Sequence, residues 1–244
     1  SYEPEQGITQ FEMRMGMIQT NKIKPVSFKS EDLVKGKLKE YPIRFSDVNI
    51  AYRHEGSSIK EKPKYFNGVY LIMKSDYIYP YQTYIYQVHF IISLLKRIND
   101  ASIKVNNAAW STAINLSDRL LLKELSRSFV GKIDTTTYFT NNTAFDGIFG
   151  VLTDNSEETK KIMTDHFIDG LLKLVQKSSV HVNLSFFNNE VHIVFTGEDM
   201  FETDVHVSLL KEDHRISSVR YFEILTIIYQ LLELISTNSE NYNN

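Results

Sequence analysis

The fold of this chain is decided by residues 180–195, VHVNLSFFNNEVHIVF, in which two alternating segments flank the dipeptide Asn188-Asn189. Alternation of apolar and polar residues is the pattern of a β-strand with one buried face. Asparagine tolerates the positive φ angles of a tight two-residue turn. We therefore predict a β-hairpin whose polar face carries Asn183, Ser185 and His192. Its other face would hold three apolar cross-strand pairs, namely Phe186–Val191, Leu184–Ile193 and Val182–Phe195.

Two amphipathic helices are predicted to pack this hairpin. Asp154-Asn-Ser156 opens the first, and its acidic first turn and its later Lys173 and Lys177 complement the helix dipole. The second helix covers residues 217–235 and has a broad apolar face, and residues 237–244 are predicted to form a disordered tail. In the first helix the apolar residues recur at helical spacing: Ile162, Met163, Phe167, Leu171, Leu174 and Val175.

Shorter elements are predicted along the rest of the chain. Residues 42–52 and 65–73 have the composition of two strands joined by a charged loop. Residues 114–129 show helical spacing, and residues 144–152 indicate a helical turn followed by a short strand.

These elements predict an α+β fold. Mainly antiparallel strands form an N-terminal lobe, and the β-hairpin packed by two amphipathic helices forms a C-terminal lobe. We place the first lobe at residues 1–132 and the second at 133–236, and leave open that the two form one domain.

The segment from Tyr77 to Leu95 contains no charged side chain and is about as long as a bilayer is thick. A membrane span needs about 20 mainly apolar residues, and this segment contains Pro80, Gln82 and His89 among other polar residues. We predict instead a strand that Pro80 limits and that passes into a short buried helix at residues 88–98.

Charge is distributed unevenly along the chain. Residues 21–132 hold 19 Lys/Arg and 10 Asp/Glu, a net of +9, and residues 133–244 hold 7 and 17, a net of −10. The first twenty residues add −2, which gives the total of −3. This layout indicates surface attraction: the basic half suits an anionic membrane surface and the acidic half an unidentified protein partner.

Several classes of chemistry are excluded. The chain has no cysteine, so it has no disulfide, no thiolate metal site and no cysteine nucleophile. The glycine-rich signatures of nucleotide binding and the GxSxG elbow of hydrolases are absent. We expect no cofactor and no metal. In the predicted hairpin register His181 and His192 lie roughly 13 Å apart, too far to share a zinc ion.

Nucleic acid is not an expected partner. Five of the 14 tyrosines lie between Tyr77 and Tyr86 and could stack on bases, but no basic residue falls between Lys74 and Lys96. Surfaces that bind RNA interleave aromatic and basic residues, so we expect these tyrosines to pack within the protein.

The order of several segments resembles a widespread bacterial family of unknown function, whose members often carry the label galanin-like. The segments are Ser30-Glu-Asp-Leu-Val-Lys-Gly36, Ile43-Arg-Phe-Ser-Asp-Val48, Tyr65-Phe-Asn-Gly-Val-Tyr70, residues 144–154 (AFDGIFGVLTD), residues 166–174 (HFIDGLLKL), the SFFNNEVHIVF stretch, Asp199-Met-Phe-Glu202 and the closing helix. The chain departs from the family pattern at residues 77–112 and at Thr164-Asp165, where the family has Thr-Pro.

The resemblance implies a soluble, cytoplasm-facing domain of a protein that is tethered to the membrane by hydrophobic spans outside this chain. It implies no enzymatic activity. Our first hypothesis is therefore a non-enzymatic protein-binding or scaffold domain at the cell membrane. The alternative is a hydrolase, and its candidate catalytic residues are His166, His214, Asp165, Asp169 and Asp213.

Overall fold

The computed structural model describes residues 1–16, 23–54, 64–87, 136–176, 181–196 and 213–240. Seven strands and five helices lie in these ranges, which confirms the α+β class. The strands are β1 (Tyr2–Glu3), β2 (Ile23–Leu38), β3 (Tyr41–His54), β4 (Lys64–Gln87), β5 (Thr136–Tyr138), β6 (Phe149–Thr153) and β7 (His181–Thr196). The helices are α1 (Gln10–Gly16), α2 (Thr143–Ile148), α3 (Ser156–Ile162), α4 (Asp165–Gln176) and α5 (Asp213–Glu240).

Strand β4 is the centre of a single antiparallel sheet. Its first half pairs with β3 on one side, with Ile43 opposite Met73 and Tyr52 opposite Lys64, which confirms the two strands predicted there. Its second half pairs with β6, and β7 pairs with both halves. The strand order is β1-β2-β3-β4-β6-β5. The sheet therefore joins strands from both predicted lobes, whose boundaries stay a prediction.

Strand β4 continues through Pro80 to Gln87 rather than being broken there. Its pairing with β7 is irregular between Lys74 and Thr83, so Pro80 lies where the regular hydrogen-bond ladder is interrupted. None of the described helices combines the length and apolar content needed to cross a bilayer. The predicted helices at residues 88–98 and 114–129 lie outside the described residues.

The predicted hairpin at Asn188-Asn189 is wrong, because residues 181–196 form one strand that pairs with β4 along both of its halves. Leu184 pairs with Ile85 and Ile193 pairs with Leu71, rather than with each other. Asn188 does adopt the positive φ that we predicted, at 53°. A left-handed residue within a strand produces a β-bulge, which shifts the alternation by one residue. The two halves of β7 therefore bury their apolar side chains in the same core cluster.

The larger core cluster lies between one face of the sheet and helices α2 to α5. The helix predicted to start at Asp154 is two helices, α3 and α4, because Met163 ends the first and Thr164 starts the second. The Thr164 hydroxyl accepts a hydrogen bond from the Phe167 N–H at 3.2 Å, as an N-cap does. All six apolar positions predicted for this segment are buried: Ile162, Met163, Phe167, Leu171, Leu174 and Val175.

Helix α5 is longer than predicted. It extends to Glu240, so residues 237–240, which we assigned to a disordered tail, are helical. Asn238 is buried, donates from its amide to the Ile162 carbonyl at 2.9 Å and accepts from the Thr164 hydroxyl at 2.7 Å. Asn238 therefore gives hydrogen-bond partners to the Ile162 carbonyl at the end of α3 and to the Thr164 hydroxyl at the start of α4. These bonds explain why a polar side chain is buried at this position.

The opposite face of the sheet carries a smaller apolar cluster. Residues 1–16, which we call the N-terminal cover, place Ile8 and Met13 over the sheet residues Val48, Ile50, Tyr70, Ile72 and Val194. The cover is attached at the edge of β2, where Ser1, Pro4 and Gln6 accept backbone hydrogen bonds from residues 32–35. The Ile8 N–H also donates to the buried Ser46 hydroxyl at 3.1 Å.

Candidate functional site

The main cluster of polar side chains lies under the N-terminal cover. Its centre is the buried pair Tyr70 and His192. Around this pair lie the half-buried Glu12, Arg44 and Glu190 and the exposed Thr9, and we call the six residues the buried polar network. The sheet register builds it, because Arg44 of β3 pairs with Ile72 of β4, which pairs with His192 of β7. Tyr70 is two residues before Ile72, so its side chain leaves β4 on the same face.

His192 is hydrogen-bonded through both ring nitrogens. Its Nδ1 lies 2.8 Å from the Tyr70 hydroxyl, and its Nε2 lies 3.2 Å from a Glu190 carboxylate oxygen. The Tyr70 hydroxyl is also 3.3 Å from the Met13 carbonyl of α1 and can donate to it. The Tyr70 hydroxyl therefore connects β4 with β7 through the His192 ring and contacts the cover through Met13.

Two carboxylates and one guanidinium continue the network. Arg44 donates to Glu12 and lies 3.6 Å from Glu190. Glu12 also accepts from the Thr9 N–H at 2.8 Å and from the Thr9 hydroxyl at 2.7 Å. Thr9 and Glu12 therefore form a capping box at the start of α1, in which the Glu12 N–H donates to the Thr9 hydroxyl at 3.2 Å.

The network perturbs the acidity of its members. Burial pushes the pKa of the Glu12 carboxyl up, but the hydrogen bonds from Thr9 and Arg44 outweigh burial and hold this pKa below its ordinary value. The hydrogen bond from His192 holds the pKa of Glu190 below its ordinary value, and Arg44 adds to the effect. Burial raises the pKa of the Tyr70 hydroxyl well above its ordinary value.

The chemistry that this network can perform is limited by access. Tyr70 and His192 are each only 1% exposed, so a substrate cannot reach the ring nitrogens or the hydroxyl in this conformation. A tyrosine, a histidine and a carboxylate in a row can move protons among themselves. The arrangement therefore holds and positions protons between the sheet and α1.

The candidate catalytic residues predicted from the sequence lie elsewhere. Asp165, His166 and Asp169 are exposed on α4, on the side opposite the core. Asp213 and His214 lie in the first turn of α5, and their side chains are outside the described residues. Within the described parts of the chain, no three His, Asp or Glu residues are grouped so that they could hold a metal ion.

His181 and His192 lie near opposite ends of β7. At about 3.3 Å per residue, their spacing of eleven residues along the strand corresponds to roughly 36 Å. The imidazoles therefore cannot share a ligand, although the 13 Å separation we predicted came from a hairpin that does not form. His181 instead places its Nδ1 2.7 Å from the Gln87 amide oxygen at the end of β4.

A second feature is an exposed apolar protrusion where β4 and β7 lose regular pairing. We call residues 75–82 the β4 tip. Four tip residues separate the pairs Lys74–Glu190 and Tyr79–Asn188 on β4, where β7 has one. Ile78 is 68% exposed and Tyr81 is 43% exposed, whereas Tyr79 is buried. The Tyr79 ring packs edge to face on Phe186 at 5.2 Å and anchors the tip.

Sequence reasoning missed the buried polar network. It placed His192 on a polar strand face, but gave it no partner and did not single out Tyr70, Arg44, Glu12 or Glu190. Tyr70 and His192 are 122 residues apart in the chain. The alternation in residues 43–50 and 69–73 does place Arg44 and Tyr70 on the same face of the sheet. With the correct pairing of β4 and β7, the sequence would also have placed His192 on that face.

The structure therefore defines a class: an α+β domain with one antiparallel sheet, a helical layer on one face and an N-terminal cover on the other. Residues 64–236 match the family described as "Protein of unknown function (DUF3137)", and the chain belongs to this family. The match begins at the first residue of β4 and ends within α5.

Two further comparisons concern individual proteins. No curated protein matches the chain by sequence. A solved structure, the crystal structure of the mycobacterial trehalose monomycolate transport factor A, TtfA, is similar with a TM-score of 0.36 and 6% sequence identity. The similarity covers 94% of this chain and 88% of that chain.

Proposed function

We propose that this domain is a non-enzymatic protein-binding module, held at the cytoplasmic side of the cell membrane by segments outside this chain. The observation that carries the proposal is the β4 tip, which exposes Ile78 and Tyr81 on one protrusion. Single exposed apolar residues are common on protein surfaces, but exposed apolar residues that are grouped together mark interaction sites.

The construction of the tip supports a binding role. Tyr79 is fixed between Tyr77, 5.0 Å away, and Phe186, so the backbone of the tip is held by the core. The Asp154 N–H donates to the Gln82 carbonyl at 3.3 Å, and the Gln82 N–H donates to the Asp154 carboxylate at 3.4 Å. These bonds fasten the far end of the tip to the end of β6. A partner that buries Ile78 and Tyr81 would therefore bind a pre-ordered surface and lose little conformational entropy.

The chain itself allows a site-specific test, because it has no cysteine. Single cysteines replacing Ile78 or Tyr81 would carry a photo-activated cross-linker in cells that make the full-length protein. We expect a discrete protein adduct from both positions. Tyr229→Cys on α5 is the matched control, because Tyr229 is 49% exposed and far along the chain from the tip. Equal adducts from position 229, or none from the tip, would contradict the binding role.

The proposed membrane orientation rests on charge. The net charge of +9 in residues 21–132 favours an anionic surface, where each nearby Lys or Arg contributes roughly 1 kcal/mol. We expect the protein to float with anionic vesicles at low salt and to be released as salt is added. A smaller fraction of the protein should float with vesicles that carry no net charge. A floating fraction that does not depend on lipid charge would argue against this orientation.

Matched charge reversals sharpen the vesicle experiment. Lys37 and Lys39 are exposed near the turn between β2 and β3, and Lys160 and Lys173 are exposed on α3 and α4. Lys37→Glu with Lys39→Glu should reduce vesicle recovery. Lys160→Glu with Lys173→Glu makes the same change of charge in the acidic half and should have the smaller effect.

The hydrolase alternative requires its acid and base to meet in a pocket. The exposure of Asp165, His166 and Asp169 on α4 gives it no support, and no other described feature favours it over binding.

A further inference from the structure

We propose that His192 is a proton-operated latch for the N-terminal cover, in which protonation of the imidazole directs the Tyr70 hydroxyl proton onto the backbone of α1. The relevant atoms are already in contact. The Tyr70 oxygen lies 2.8 Å from His192 Nδ1 and 3.3 Å from the Met13 carbonyl oxygen. A tyrosine hydroxyl has a single proton, so it can donate to only one of these two acceptors at a time.

In neutral His192 the proton must be on Nε2. This nitrogen faces the Glu190 carboxylate at 3.2 Å, and an unprotonated Nε2 would place two acceptors against each other. Nδ1 is then the acceptor, and the Tyr70 hydroxyl donates to it. The Met13 carbonyl receives no hydrogen bond from Tyr70 in this state.

In protonated His192 both ring nitrogens are donors. Nε2–H still donates to Glu190, and Nδ1–H now donates to the Tyr70 oxygen. The Tyr70 O–H then no longer donates to the imidazole and can donate to the Met13 carbonyl instead. Every donor then has an acceptor, and the sheet gains one hydrogen bond to α1.

Other charged groups surround His192. Glu12 on α1 and Glu190 on β7 face Arg44 on β3. On β4, Lys74 faces Glu190 from an exposed position and Tyr84 lies near Tyr70 as an uncharged phenol.

The latch controls a defined surface. The cover buries an apolar strip of the sheet formed by Val48, Ile50, Tyr70, Ile72 and Val194. Histidine is the side chain that ordinarily changes charge between pH 5 and 8. Loss of the imidazole proton of His192 should therefore let α1 open more often and expose the strip.

Amide hydrogen exchange on the whole chain tests the latch. The Met13 N–H donates to the Thr9 carbonyl at 3.0 Å and reports the opening of α1. After division by the intrinsic exchange rate, we expect protection in α1 to be about fivefold higher at pH 6 than at pH 8, the value of one hydrogen bond of ordinary strength. Amides of α4, on the other face of the sheet, serve as the internal control and should not change.

Two variants make the result specific. Tyr70→Phe keeps the ring in the apolar strip and leaves His192 in place, but removes the relayed proton, so the pH dependence of α1 protection should disappear. His192→Gln should also abolish it. ¹⁵N spectra of the His192 ring should show the Nε2–H tautomer at pH 8 and the doubly protonated ring at lower pH.

The proposal is overturned if α1 protection in the natural protein is the same at pH 6 and pH 8. It is also overturned if Tyr70→Phe retains the natural pH dependence, or if the His192 ring keeps one protonation state across this range. Glu12 and Glu190 do not confuse the measurement, because their lowered pKa values place their titration below this range.

Discussion

The two faces of the sheet are covered by different means. Helices α2 to α5 bury one face through the larger apolar cluster, in which Phe167, Leu171 and Ile193 are fully shielded from solvent. The N-terminal cover buries the other face with two apolar side chains, Ile8 and Met13, and the buried polar network. Apolar burial is strong and insensitive to pH, whereas the stability contributed by a network of charged groups changes with pH. The helical face should therefore govern stability and the covered face should govern response.

The largest effect is expected on the helical face. Phe167→Ala should lower the free energy of unfolding by about 3–5 kcal/mol, because it leaves a cavity against Phe186, whose ring lies 6.0 Å away. Denaturant titration measures this loss. The exposed neighbour His166→Ala is the control and should change stability by less than about 0.5 kcal/mol. If both variants lost similar free energy of unfolding, α4 would not place Phe167 in the core and His166 in solvent.

A smaller effect is expected on the covered face. Arg44→Met should cost about 2 kcal/mol, because Glu12 and Glu190 lose the cation between them. Lys35→Met removes an exposed ion pair with Glu3 and should cost much less than Arg44→Met. Chemical denaturation compares the two, and a larger loss at Lys35 would show that the buried polar network adds little to the attachment of the cover.

Asn238→Ala addresses the junction of α3, α4 and α5. It removes the amide that satisfies the Ile162 carbonyl and the acceptor of the Thr164 hydroxyl. We expect a loss of about 1–2 kcal/mol on thermal or chemical unfolding. Glu233→Ala, at an exposed position of the same helix, is the control. An unchanged midpoint in Asn238→Ala would mean that the end of α5 is not needed to hold the two helices.

The smallest effect on stability is expected from lowering the pH. The pKa values of Glu12 and Glu190 are lowered in the folded state, so their contribution to stability is complete above the ordinary glutamate pKa and is lost as pH falls through the folded values. Stability measured from pH 6 down to pH 3 should therefore decline, and Glu190→Gln should make the decline shallower. Glu5→Gln, an exposed substitution on the cover, is the matched control.

Much of the helical face could be predicted from the sequence, and most of the covered face could not. The buried positions of α3 and α4 follow from a period of 3.6, and the pairing of β3 with β4 follows from two adjacent alternating segments. The break at Thr164 was missed because apolar spacing continues across Met163, although Thr164-Asp165 is an acceptable helix start. The buried polar network depends on contacts between residues 122 and 32 positions apart, which local periodicity does not report.

The misassigned hairpin has a specific cause. Two alternating segments whose phase changes at an asparagine with positive φ are compatible with a reversal of the chain or with a bulge in a straight strand. Both arrangements bury Val182, Leu184 and Phe186 together with Val191, Ile193 and Phe195. Only the partner strand decides between them, and here β4 is long enough to pair with both halves.

The length of β4 also has a consequence for synthesis of the protein. Gly68 pairs with Thr196, so 196 − 68 = 128 further residues must be added before that partner exists. At about 5–20 residues per second, roughly 6–26 s pass while this edge of the strand lacks β7. Val69, Leu71 and Met73 are fully buried in the finished protein but lack this half of their packing during that interval. The nascent chain should therefore be a better substrate for ribosome-associated chaperones before residue 196 emerges than after it.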